Sequence, residues 1–317
     1  MTSLSTIRFA PLLLLLAGLQ FLAPPVAAEE DFFEPTALGM GGAVRTLGVD
    51  SSSIHLNPAA MVGEPVYLSS LSYSYYPRER SHIFSSGAFD SRTSNFAIGT
   101  NYSVRHFEPP FNPQLDSLWY PISDQSALRD KRTFHRWELA VAYAFLQRRI
   151  NVGLSGRVLR KEFDLQEDKV QFSMDSGVVF YPFKFLGIAV SSQNMIPTGD
   201  SRYPTRLSTG LGLRLAPVVR IGVDAVFDLT SAADPLVDLH AGLEVRFFNI
   251  ASVRVGYYSD RKFTDNFITW GLGVDSERVR ISYAMRIEAG PIELRQRDDI
   301  SEATNRILNS VGFDMKF

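Results

Sequence analysis

The chain contains no cysteine. Disulfide frameworks, Cys-ligated zinc, thiol catalysis and a lipid-bearing cysteine are therefore excluded. It also lacks an excess of either charge: 32 basic side chains stand against 34 acidic ones, a formal net charge of −2. Without a basic footprint, nucleic acid is not an expected partner. Beyond Ala28 no apolar run is long enough to cross a bilayer as a helix, and the mean hydropathy is only −0.02. Aromatic residues, by contrast, are plentiful, with 23 Phe and 12 Tyr among 317 residues. Any membrane role must be built from strands.

Residues 1–28 read as an export signal. A short n-region carries Arg8, an apolar run covers 9–22, and Pro24-Pro25 leads to the small-residue cut site Val26-Ala27-Ala28. The run is too short to span comfortably and no stop-transfer charges follow it. Cleavage after Ala28 is expected, leaving a chain that begins Glu29-Glu30-Asp31.

From residue 66 onward the pattern has period two. In the windows 219–229, 237–247 and 279–287, all 17 odd positions are apolar, against two of 15 even positions over 220–288 (Val226 and Ala284). A helix cannot produce this alternation; a strand with two different faces does. The same reading along the chain predicts about fourteen strands, near 66–76, 80–89, 93–107, 133–147, 149–163, 170–181, 185–195, 203–215, 218–229, 236–247, 250–259, 265–275, 278–288 and 305–317. Each has about the length of a tilted membrane-crossing strand. Every second connection is tight, as at Gln147-Arg148, Pro182-Phe183 and Ala216-Pro217. The intervening ones are longer, with 108–131 the extreme, 289–304 next and the first hairpin an exception. Short turns at one end and long loops at the other describe an all-β, up-and-down antiparallel transmembrane barrel. Three units follow: the export signal 1–28, a preceding segment 29–65 and the barrel 66–317.

The even positions of the later strands carry Arg206, Arg214, Arg220, Asp224, Asp228, Asp238, His240, Glu244, Arg246, Arg280 and Arg286. A ring of about fourteen strands is too wide to fill with its own apolar side chains, so these residues are assigned to the lumen, hydrated or ion-paired. The apolar face is then outside, toward lipid. Aromatics clustered at strand ends, as in Phe180-Tyr181-Pro182-Phe183, Phe247-Phe248 and Tyr257-Tyr258, are expected to form interfacial girdles. At the C-terminus Phe313, Met315 and Phe317 alternate with Gly312, Asp314 and Lys316. This ending resembles the signal by which outer-membrane barrels are recognised by their insertion machinery.

Residues 29–63 do not alternate. They hold Ala37-Leu38-Gly39-Met40-Gly41-Gly42-Ala43, then Asp50-Ser51-Ser52-Ser53, then Asn57-Pro58-Ala59. Glycines allow positive φ and close approach to a wall, and Asn57-Pro58 is expected to end a short helix and fix a turn. A GMGGA element, a spacer with Asp and an NPA triplet resemble the N-terminal hatch of FadL-type outer-membrane transporters. The opening is also similar to that of the PorV/PorQ branch, whose compact members are nearer in length. The first resemblance implies passage of a small hydrophobic molecule, with Gly39, Gly41, Gly42, Asn57, Pro58 and Ala59 forming the hatch and lateral gate. It also implies that the NPA triplet faces the third strand near Gly99. The second implies a docking protein for secreted proteins, with loop 108–131 as the contact surface. A hatch that merely seals the lumen is the plain structural alternative.

No cofactor or metal is implied. The five histidines, His55, His82, His106, His135 and His240, fall in no metal-ligand spacing. Gly39-Met40-Gly41-Gly42 follows no strand and lacks phosphate-loop spacing. An Asp238–His240–Asp224 cluster suggests a hydrolase, but no serine stands out beside it and a lumenal ion network accounts for it more simply, so no enzyme is expected. The expected partners are outer-membrane lipid, the insertion machinery, and either a hydrophobic small molecule or a secretion-system protein.

Overall fold

A computed structural model describes residues 33–77, 81–107, 132–163, 168–198, 203–215, 218–230, 236–248, 250–260, 265–289 and 307–317. The export signal and the loops 108–131 and 290–306 lie outside these. Fourteen antiparallel strands close into one barrel in simple up-and-down order, with β1 (Tyr67–Tyr76) paired to β14 (Ile307–Lys316). Between them run β2 (Ser81–Asp90), β3 (Phe96–Phe107), β4 (Arg132–Phe145), β5 (Ile150–Phe163), β6 (Lys169–Phe183) and β7 (Leu186–Gln193). The second half comprises β8 (Arg206–Leu215), β9 (Val219–Asp228), β10 (Leu236–Phe247), β11 (Ala251–Asp260), β12 (Asp265–Asp275) and β13 (Val279–Ala289). The seam is closed by reciprocal backbone bonds, Tyr67 N–H to Phe317 O at 3.1 Å and Phe317 N–H to Tyr67 O at 3.0 Å. Among the described residues no helix is long and apolar enough to cross a membrane.

Alternation sorts the two faces as the sequence suggests. Leu71, Phe84, Ile98, Leu139, Leu154, Leu211 and Ile281 stand outward and are about half exposed, as a wall meeting lipid requires. Phe313, Met315 and Phe317 are on this outer face too. The inward parity carries the charges. Two aromatics depart from the expected girdles. Tyr181 and Tyr258 point inward and are buried, while their neighbours Phe180 and Tyr257 face out. Adjacent residues of a strand cannot share a face, so a pair of aromatics at a strand end supplies one to each side.

The lumen is filled by residues 33–63, nearly all buried. They fold into a first helix (Pro35–Gly39), a second helix (Ser53–Leu56) and a 3-10 turn (Pro58–Val62). Asn57 ends the second helix in extended conformation and its side chain accepts from the Ala59 N–H, while Pro58 opens the next turn where it has no donor to waste. Gly41 and Gly42 have φ of 63° and 76°, the left-handed conformation that glycine adopts without strain.

Candidate functional site

The site is the contact between this hatch and the wall. Small inward residues make it possible. Across β7 to β11, Gly187, Gly212, Gly222, Gly242 and Gly256 are direct cross-strand partners of one another. On β5 and β6, Gly153 faces Gly177. A Cβ at Gly222 would strike the Ala43 carbonyl, and one at Gly256 the Gly41 amide. The hatch backbone therefore lies directly on the wall backbone, and wall side chains reach its carbonyls. Tyr181 Oη donates to Thr46 O at 2.8 Å, Arg214 to Leu47 O at 2.8 Å, Arg280 to Val49 O at 3.3 Å and Thr269 to Gly39 O at 3.2 Å.

On the β8–β14 side the hatch meets a dense ion network. Glu244 accepts from Arg254 at 2.7 Å and Arg246 at 2.8 Å, with Arg220 at 3.7 Å. Asp224 accepts the Arg45 amide at 3.2 Å and lies 3.5 Å from its guanidinium. Arg280 pairs with Asp275 and lies 4.0 Å from Asp314. Arg206 stands opposite Asp228 in register, Asp238 opposite Val226, and Arg286 over the Phe267 ring at 4.6 Å. Buried charges are tolerated where they are drawn into such pairs. At the tight-turn mouth Glu64 lies 3.1 Å from Arg214 and 3.5 Å from Arg220. Burial pushes its carboxyl upward, but the arginines prevail and hold it below the usual carboxylate range.

His240 stands opposite Asp224 in register, as expected, but serves the hatch. Its Nδ1 is 2.7 Å from Gly41 O, and its ring stacks on Tyr258 at 4.6 Å and meets Phe33 edge-on. With its ring held between aromatics, it has a structural role.

The NPA triplet is placed differently from expectation. It packs chiefly on β4, β5 and β6 and only lightly on β3. A Cβ at Gly153 would meet Pro58 and Ala59, and one at Gly177 would collide with Asn57 Oδ1. Gly99 instead sits under the Met61 sulfur, at 3.0 Å for an added Cβ. The reason is that the 3-10 turn needs the paired glycines of β5 and β6 to bring its backbone to the wall.

Directly outside this contact the barrel surface carries a cavity of about 460 Å³. Its floor includes Ala142, Gly153, Gly177 and Ser191, and its rim is Phe96, Val141, Tyr143, Leu154, Val178, Val190 and Leu207. Beside it the wall is broken. β7 has eight residues against fifteen in β6, and the ladder between them ends at Ser176–Ser192 after a register shift at Phe180/Phe183. At Asn194 φ turns to +54° and the chain leaves the regular ladder, keeping one backbone–backbone bond to β6, Met195 N–H to Met174 O at 2.8 Å, with Ser173 Oγ donating to Ile196 O at 3.0 Å and Gln171 Nε2 to Thr198 O at 3.2 Å. The hatch backs this break: Gln193 Nε2 donates to His55 O at 2.7 Å and Ser191 Oγ to Leu56 O at 3.1 Å.

The sequence reading did not single out Arg45, Glu138, Arg157, Asp175, Asn194 or the wall glycines Gly177, Gly187, Gly222, Gly242 and Gly256. Glu138, Arg157 and Asp175 lie on the inward parity of their strands, so extending the even/odd count to β4–β6 would have found them.

With this geometry in view, the fold can be compared. No described protein family matches the sequence, and no curated protein does. Solved structures do match in fold. A Pseudomonas aeruginosa FadL homologue superposes with a TM-score of 0.59 at 9% identity over 92% of this chain and 98% of that one. The CymD monoaromatic hydrocarbon channel gives 0.59 at 10% identity, covering 90% and 97%. The P. putida toluene transporter TodX gives 0.56 at 10%, covering 88% and 97%. The chain thus shares its barrel fold with these FadL-type proteins.

Proposed function

We propose that this chain is a barrel of a Gram-negative outer membrane, exported by a cleaved signal, that passes a small hydrophobic molecule sideways through its wall. The observation that carries the reading is the stacking of three features at one place. Asn57-Pro58-Ala59 press on Gly153 and Gly177 from inside. The apolar cavity lies on the outer side of the same glycines, and the strand break at Asn194 adjoins both. A hydrophobic solute is poorly served by a charged lumen and gains by entering lipid directly. The neighbouring proteins of this fold, named as toluene and monoaromatic hydrocarbon channels, support the same class of passenger. The gate in this reading comprises Asn57, Pro58 and Ala59 with β5–β7, and Gly39, Gly41 and Gly42 seat the hatch. The outward Phe313, Met315 and Phe317 serve as the mark read by the insertion machinery.

The test is uptake of labelled toluene by cells carrying the protein. Ser192 is half-buried at the cavity, and Ser192→Trp fills the opening from outside without touching the hatch. Uptake should fall to the level of cells lacking the protein, with the barrel intact in the membrane. Uptake unchanged by Ser192→Trp would place the route elsewhere. Co-purification of a stoichiometric secreted protein, with no toluene uptake, would favour docking.

A further inference from the structure

The hatch and the wall break are joined by a buried polar chain that the passage reading does not itself require. It starts at His55 of the second hatch helix, whose Nδ1 lies 3.7 Å from Glu138 Oε2 on β4. Glu138 accepts from Arg157 Nε of β5 at 2.8 Å and from Asn101 of β3 at 3.1 Å. Arg157 is forked: Nη2 donates to Asp175 Oδ2 of β6 at 2.5 Å, and Nη1 to Asn194 Oδ1 at 3.0 Å. Asp175 in turn accepts the backbone N–H of Asn194 at 2.8 Å. Asn194 Nδ2 donates to Pro204 O at 2.9 Å and Thr205 Oγ1 to Asn194 O at 2.9 Å, fastening the departing chain.

Asn194 is held in a left-handed conformation, which asparagine tolerates better than most non-glycine residues. Its fixing groups are Asp175 and Arg157, and Arg157 also sets the carboxylate beneath His55. All of these are buried. A planar, forked cation that satisfies two carboxylates and an amide at once has one geometry, so displacing any partner disturbs the rest. We infer that Arg157 is a positioning residue that couples hatch movement to the shape of the wall break. When the second hatch helix withdraws, Glu138 loses its His55 neighbour and is free to shift, and Arg157, which grips both Glu138 and Asn194, carries that shift to the break, so hatch release and portal opening occur together. This extends the lateral-passage reading by saying how the two ends of the path are timed.

The test needs no cargo, so its outcome is separable from that of the uptake experiment. Ser70 donates to Ser51 at 2.6 Å between β1 and the hatch, remote in the fold from β7. In this cysteine-free chain, Ser51→Cys with Ser70→Cys supplies a single reversible lock on the hatch. Amide exchange is then followed in residues 53–60 and 192–196 of the full protein, oxidised and reduced. In the parent, locking should slow both segments together, by about tenfold. In Arg157→Met it should slow 53–60 only; Arg157→Lys, which keeps the charge but not the fork, should restore part of the linkage. Should Arg157→Met fail to fold, Asn194→Gly decides: it accepts the same φ but lacks the amide that Arg157 grips, and the two segments should again separate. Both segments slowing together in Arg157→Met or Asn194→Gly, or residues 192–196 ignoring the lock in the parent, would overturn the inference.

Discussion

The two sides of the barrel hold the same hatch by different means. From β8 to β14 the wall offers charges: Glu244 with Arg254 and Arg246, Asp224 with Arg45, Arg280 with Asp275. From β4 to β7 it offers bare backbone at Gly153 and Gly177, a few hydrogen bonds to hatch carbonyls, a strand that leaves its ladder early, and one buried ion network, Glu138 with Arg157 and Asp175, that meets the hatch at His55. The first side is costly to disturb, because separating buried ions leaves each unpaired in a poor solvent. On the second the hatch rests on wall backbone at Gly153 and Gly177, as it does on the first at Gly222 and Gly256, but the ion network there meets it only through Glu138 beside His55.

Substitutions can break or sharpen that contrast. The largest effect is expected from Arg254→Met, which breaks the shortest ion pair of the buried Glu244 and leaves it Arg246 and the more distant Arg220; it should cost about 3–5 kcal/mol in urea unfolding of the barrel in lipid vesicles. Leu139→Arg, on the outer face of β4, tests the assignment of that face to lipid; about 2–4 kcal/mol is expected near mid-bilayer. Gly177→Ala drives a methyl into Asn57 Oδ1 and should cost about 1–3 kcal/mol by overpacking, while raising proteolytic cleavage of the hatch. If Gly177→Ala proved dearer than Arg254→Met, the contrast between the two sides would be reversed.

The smallest effect belongs to Glu64. Its depressed titration means that its stabilising pairing with Arg214 and Arg220 is present above the ordinary glutamate range and is lost as the pH falls below it. Glu64 is about half exposed, so Glu64→Gln should cost only about 0–1 kcal/mol at neutral pH. The difference between parent and variant should vanish in acid, and a difference that grew on acidification would contradict the assignment.

The barrel was largely legible in the sequence because strand parity is local. Val219, Ile221 and Val223 against Arg220 and Asp224 reveal two faces without any knowledge of neighbours. The same parity assigned the charges of the later strands to the lumen, and Asp224, Asp228, Asp238, Glu244, Arg280 and Arg286 are buried. Asn57-Pro58 also acted locally, ending a helix where expected. What could not be read was which wall strand the hatch meets. That depends on Gly153 and Gly177 being partners across a ladder and on Asn57 reaching them from far along the chain, facts of register and tertiary packing. His240 shows the same limit: its parity was visible, but its partner Gly41 O was not, so it was read into a lumenal ion network with Asp224 and Asp238 rather than as a contact to the hatch. The break at Asn194 had no signal beyond an early loss of alternation.

The central claim is that the hatch must move for a hydrophobic molecule to pass. It is tested most directly by toluene uptake through the variant carrying Ser51→Cys and Ser70→Cys, measured with the pair oxidised and then reduced in the same cells. The account predicts that uptake is lost on oxidation and returns on reduction. Equal uptake in both states, with cross-linking complete, would make the hatch a fixed plug and contradict the account.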